Sequence, residues 1–198
     1  MLANPARLHL NRLLVIVGVM TALAAAFPTS QAQERVNPTA TAVKEFLDRA
    51  KAYVELQKKE DGGLPPEKPG NTTSNVEIRQ RALTARMRLA RPDARQGDLF
   101  GGVAPVIRDI VVKDAQSRAP KDRKAAMKEV PPQNPPKVNA EYPAKADLAT
   151  VPPLLLANLP QLPEGLEYRF MGRYLILRDT KANLIADFIP EAVPVVTR

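Results

Sequence analysis

Residues 162–189 read "LPEGLEYRFMGRYLILRDTKANLIADFI". Leu166, Tyr168 and Phe170 alternate with Glu167 and Arg169, which is the period of a half-buried strand. Met171-Gly172 reads as a two-residue turn. That turn sets Tyr168 opposite Leu175 and Leu166 opposite Leu177, so both strands put their apolar residues on one face. After Asp179-Thr180-Lys181-Ala182, "NLIADFI" predicts a third strand with Leu184, Ala186 and Phe188 on that same face. Three strands with one apolar side are stable when helices cover them. The reading is therefore an α+β fold, with N-terminal amphipathic helices packed on a small C-terminal antiparallel β-meander.

The covering helices are sought upstream. Asn37 is a good N-cap and Pro38 a good first helical residue. Val43, Phe46, Leu47, Ala50, Tyr53 and Val54 then recur at helical spacing, until Gly62 and Gly63 end the pattern. A second helix opens with Ser74 and Glu77 in capping-box spacing. Ile78, Ala82, Ala85 and Leu89 fall within about 60° of one another at 100° per residue, so they predict a narrow buried stripe. "VAPVIRDIVVKDAQS" predicts a third helix with Val103, Val106, Ile107, Ile110 and Val111 inward, and "PKDRKAAMKEV" a shorter basic one. "GDLFGG", residues 97–102, reads as the turn between the second and third helices, because no strand precedes it and no lysine-serine pair follows to make a phosphate loop.

From 130 to 163 prolines dominate. The segment reads as an extended arm with a short strand near "KVNAEY" and one helical turn at "PPLLLANLP", its Leu154-Leu155-Leu156 triplet anchored in a core. The organisation expected is residues 1–32 as a signal peptide, 33–129 helical, 130–163 the proline-rich arm, and 164–198 the meander and tail, with 33–198 one domain.

The signal-peptide reading rests on Arg7 and Arg12, the uncharged run from Leu13 to Phe27, and Ser30-Gln31-Ala32 as the cleavage site. The run is shorter than the roughly 20 apolar residues that span a bilayer, so no stable membrane span is expected once it is removed. Residues 1–32 hold two arginines and no acid, so the net charge of +8 becomes +6 without them. A basic exported chain favours anionic envelope surfaces over nucleic acid.

The chain has no cysteine, and its single histidine, His9, lies in the expected signal peptide. Without either residue there is no disulfide, no thiolate or imidazole metal site, and no Cys-His or Ser-His-Asp nucleophile. No cofactor, metal or catalytic residue is predicted. A lysine-activated serine stays open, as does carboxylate-only chemistry through Glu167, Asp179 and Asp187, but the register above puts Asp179 on the opposite face from the other two acids. Glu167 and Arg178 are read as an exposed ion pair. Tyr168 is placed in the core and Tyr174 on a solvated sheet surface, so neither makes a sugar platform.

The second helix is rich in arginine. Arg79 and Arg86 lie on one flank of its apolar stripe, Arg81 and Arg88 on the other. Their stems border the core with the guanidiniums in water, or they form an anion-binding surface for lipid headgroups or acidic cell-wall polymer. "LPEGLEYRFMGRYLILRDTKANLIADFIP", together with "ARQGDLF" after an amphipathic helix, resembles the signature of a group of exported bacterial proteins without an established activity. The likeness is close over about the last 40 residues and looser over the helical half. It implies export and membership of that group, and no functional residue. The expectation is an exported, non-catalytic accessory or interaction protein of the bacterial envelope, periplasmic or secreted. Its expected partner is an anionic envelope surface or another envelope protein. The alternative is a carboxylate-dependent hydrolase acting on cell-wall or other polysaccharide.

Overall fold

The structure, a computed structural model, describes residues 37–66, 73–118, 135–143 and 151–193. The expected signal peptide, the basic helix at 120–130, parts of the proline-rich arm and the tail from 194 lie outside those residues.

Helix α1 (Pro38–Gly62) starts as its sequence dictates: the Asn37 side chain accepts the Thr39 N–H at 3.0 Å and Pro38 supplies the first turn. It buries Phe46, Ala50, Tyr53, Val54 and Gln57, with Val43 and Leu47 packed at the edge of the same face. Helix α3 (Ala104–Ser117) follows a 3-10 turn at Gly101–Val103 and turns Val103, Ile107 and Val111 inward, flanked by Val106 and Ile110. A six-residue helix α4 (Pro153–Asn158) sinks Leu155, while Leu154 and Leu156 are exposed. The leucine triplet is thus anchored by its middle member only, since one helical turn can aim just one of three consecutive side chains inward.

Helix α2 (Thr73–Ala90) packs the other way round from the sequence reading. Leu83, Thr84 and Met87 are buried, whereas Ile78, Ala85 and Leu89 face solvent. The cause is polar tethering: Thr84 Oγ1 donates to Ala182 O at 2.5 Å, and Arg91, just beyond the helix, reaches Ala186 O at 3.4 Å and stacks over the Tyr53 ring at 4.8 Å. These bonds to the meander, with the burial of Leu83 and Met87, turn this face of the helix inward in place of the apolar stripe.

The meander is β1 (Leu166–Met171), β2 (Tyr174–Asp179) and β3 (Leu184–Ile189), antiparallel in the order β1-β2-β3. The architecture is α+β, as expected. The turn is Gly172-Arg173, one residue later than expected, because Gly172 takes the positive φ of 61° that the first turn position requires. Tyr168 therefore faces Leu177 and Leu166 faces Asp179. A slip of two residues keeps every side chain on its predicted face.

In β3 the face assignment changes. Leu177 pairs with Asp187 but Arg178 pairs with Ile185, so Ala186 is an extra residue in a bulge. Beyond it Asp187 and Ile189 point to the core and Phe188 to the outer face, reversing the expectation for Phe188. The core joins Phe46, Tyr53, Met87, Phe100, Ile107 and Leu155 to Leu166, Tyr168, Leu175, Leu177 and Leu184 of the sheet. The outer face is not simply solvated: Tyr142, Met171, Ile176 and Ile185 are buried on it, and Tyr174 packs edge-on to Phe188 at 5.9 Å. The arm supplies Tyr142 through a single antiparallel bridge, Glu141 with Leu184, where a short strand was expected. It also covers the free edge of β3. All described residues belong to one compact unit, Val36–Arg198, and both hydrophobic clusters close within it.

Candidate functional site

Two acids of the meander, Asp179 and Asp187, are buried completely. Asp187 accepts the N–H groups of Gly97 (2.8 Å), Leu99 (2.9 Å) and Phe100 (2.9 Å) and that of Phe188 (2.8 Å). The loop "GDLF" is folded into a backbone nest around this anion, with Gly97 at φ 91°. Arg49 binds the carbonyls of Leu99 and Phe100 from the other side, and the Phe100 ring stacks on Phe46 at 5.3 Å. Burial pushes the Asp187 carboxyl above its ordinary value, against the pull of the four backbone donors.

Asp179 accepts from the Tyr53 hydroxyl (2.8 Å), Gln57 Nε2 (2.6 Å) and the N–H groups of Lys181 (2.9 Å) and Ala182 (2.8 Å). Burial and the charge of Asp179 raise the Tyr53 hydroxyl well above its ordinary range. The bulge puts Asp187 on the same sheet face as Asp179, correcting the expected placement, and leaves Glu167 alone on the other. Glu167 sits between Arg169 (2.9 Å) and Arg178 (2.8 Å), with Arg178 under the Tyr142 ring at 4.4 Å. Partial burial would raise Glu167, but the two arginine hydrogen bonds outweigh it and hold the carboxyl below its ordinary value. No two of these three acids face a shared open cleft, which is what a glycosidase pair requires.

The arginines of α2 are used largely as clasps. Arg79 binds Asp61 (2.7 Å) and Pro65 O, and Arg86 binds Glu60 (2.9 Å) and Gly63 O, so both hold the C-terminal end of α1. Arg88 binds Asn139 O (2.9 Å) and Glu141 (3.5 Å) in the arm. Among the described residues Arg81 pairs along its own helix with Glu77 (3.1 Å), and its side chain is 73% exposed. The plainer reading of stems bordering a buried stripe fails with the stripe itself, which faces outward with the arginines on its flanks.

A cleft of about 300 Å³ lies beside α1, lined by Lys51, Lys58 and Lys181 with Glu55 and Glu164, over Gln57. Its rim is mixed in charge, and Lys58 already pairs with Glu55 at 2.8 Å. Gln57 Oε1 has no hydrogen-bond partner, but it is sealed from solvent and abuts Gly165, where a Cβ would lie 3.0 Å away. That acceptor is a packing contact and does not open into the cleft. Among the described residues no group of acids could hold a metal ion, and no helix is long and apolar enough to cross a membrane.

No protein family, curated protein or solved structure matches the chain. Sequence reasoning missed the Tyr53–Gln57–Asp179 network. Its signal was Gln57 itself, four residues after Tyr53 on the apolar face, because a buried amide demands a partner.

Proposed function

We propose that the protein is an exported, non-catalytic accessory or interaction protein of the bacterial envelope, periplasmic or secreted after loss of residues 1–32. The N-terminal pattern of two arginines, an apolar run and Ser30-Gln31-Ala32 supports export. The observation that carries the non-catalytic part is how the signature acids are spent. In a chain whose expected mature part has neither histidine nor cysteine, carboxylates and a lysine-activated serine are the groups left for hydrolysis, and the acids nearest the hairpin are the carboxylate candidates. Asp179 and Asp187 are fully buried and each takes four donors from the protein itself. The signature then reads as a fold signature: Gly97-Asp98-Leu99-Phe100 and Asp187 are two halves of one clasp.

Expression of the full chain in a bacterium, cell fractionation and N-terminal sequencing test the proposal. A processed chain beginning at Gln33 outside the cytoplasm is the expected result. An unprocessed chain beginning at Met1 in the cytoplasm overturns it. Pelleting of the processed chain with isolated envelopes at low salt, lost at high salt, is expected for electrostatic attachment.

A further inference from the structure

The outward face of α2 is an apolar surface that the packing of the fold leaves uncovered. Ile78 is 59% and Leu89 80% exposed, and Ala85 is exposed between them, in line along the helix. The face lies opposite Leu83 and Met87, so its exposure follows from the packing of the helix and not from fraying at an end. Arg81 and Arg88 project along one flank with side chains 73% and 43% exposed. The helix as a whole carries four arginines and one glutamate.

We propose that this face docks on an anionic phospholipid surface, a proposal that rests on the envelope reading above and names the partner for it. Ile78, Ala85 and Leu89 enter the headgroup region, and Arg81 and Arg88 pair with lipid phosphates while their stems lie along the apolar boundary. Charge decides between occupants. In a second copy, an antiparallel α2 pair would bring arginine flanks together over a contact about 27 Å long with two large apolar side chains per copy. That is far below the roughly 800 Å² per partner of a stable interface. A bilayer offers the opposite charge and needs no matching shape. The Arg88 bond to Asn139 O uses Nε, so its terminal nitrogens exchange only the long 3.5 Å contact with Glu141 for a phosphate. Arg81 exchanges one solvent-exposed partner, Glu77.

The test uses residues 33–198, which contain the whole compact unit and both hydrophobic clusters. Flotation is measured with vesicles of phosphatidylcholine alone and of equal parts phosphatidylcholine and phosphatidylglycerol, at low and high salt. Binding is expected on the anionic vesicles only, weakened by salt, and reduced at least tenfold by the double variant Ile78→Ser/Leu89→Ser. Arg81→Gln should weaken it several-fold. Ala85→Glu, a single helix-compatible change in the middle of the face, gives a second check should the double variant melt early. No flotation, equal binding to neutral vesicles, or binding untouched by Ala85→Glu overturns the proposal. Isolated envelopes separate the two readings. Pelleting with envelopes without vesicle binding sinks the lipid proposal and leaves the envelope reading standing, and a loss of that pelleting in Ile78→Ser/Leu89→Ser would move the face to a protein partner. Binding to neither sinks the lipid proposal and the electrostatic attachment together, while export stands or falls by fractionation.

Discussion

Asp187 shows how much of this fold hangs on single side chains. Its carboxylate is the common acceptor for three N–H groups of the 97–100 loop, and among the described residues no other acceptor is bonded to them. Asp187→Asn keeps the volume but replaces one carboxylate oxygen by an amide that faces donors. The expected loss is about 3 kcal/mol, read from denaturant melts, and a loss below about 1 kcal/mol would mean the loop is held by Phe100 packing instead. Glu167 offers a pH test on the outer face. Its folded pKa is held below the ordinary 4.5 by Arg169 and Arg178, so its contribution is present above that value and disappears as pH falls through the folded one. Asp187 acts with the opposite sign, its contribution being full below 3.8 and lost as pH rises through the raised value. Because Asp187 is common to wild type and Glu167→Gln, it cancels in their difference. The melting temperature of wild type should therefore exceed that of Glu167→Gln at pH 6, and the difference should shrink as pH is taken below 4.5. A constant gap across that range would show that charge on Glu167 plays no part.

Among the elements, α2 gives the sharpest contrast between sequence and structure. Ile78, Ala82, Ala85 and Leu89 make the tidier apolar stripe, while on the opposite side Gln80 and Thr84 interrupt Leu83 and Met87, so periodicity alone selects the face that the fold leaves in solvent. What turns the helix is long-range: Thr84 to Ala182 and Arg91 to Ala186 are bonds to a sheet some 95 residues away in the chain, which no local pattern displays. The expected outcome is that Met87→Ala costs about 3 kcal/mol, as a fully buried side chain does, while Leu89→Ala changes stability by less than about 0.5 kcal/mol. Equal losses at the two positions would restore the sequence reading. The strands were legible because alternation and turn chemistry are local, and a turn misplaced by one residue slips the register by two and preserves faces. The β3 bulge was not, since nothing in "NLIADFI" marks Ala186 as the extra residue. The reason for the bulge lies in the nest of the 97–100 loop, which needs Asp187 on the core side. In β2 the unbroken run "YLIL" did carry a signal of burial on both faces, and Ile176 is its result.

For the molecule as a whole the question is whether helices and meander fold separately, since the sequence divides neatly into a helical part, an arm and a sheet. The structure ties them at four places that do not share residues. Tyr53 and Gln57 of α1 hold Asp179, the 97–100 loop holds Asp187, Thr84 of α2 holds Ala182, and Asn139 and Tyr142 of the arm hold the edge of β3. Each bond joins a part that buries little alone to the shared core, and without the helices the inner face of the meander, Leu166, Tyr168, Leu175, Leu177 and Leu184, would lie in water. Unfolding should then be a single cooperative transition. The chain has no tryptophan, and its four tyrosines, 53, 142, 168 and 174, all lie at or against the sheet. Tyrosine fluorescence therefore reports the sheet, and circular dichroism at helical wavelengths reports α1 to α3. In denaturant the two midpoints should coincide. Tyr142→Ala, which uncovers Ile176 and Ile185 and removes the ring over Arg178, should shift both midpoints together by an amount worth about 3 kcal/mol. Midpoints that separate in this variant, with the fluorescence change moving to lower denaturant and the helical signal staying behind, would show that the sheet is a subordinate unit clipped onto an independently stable helical core.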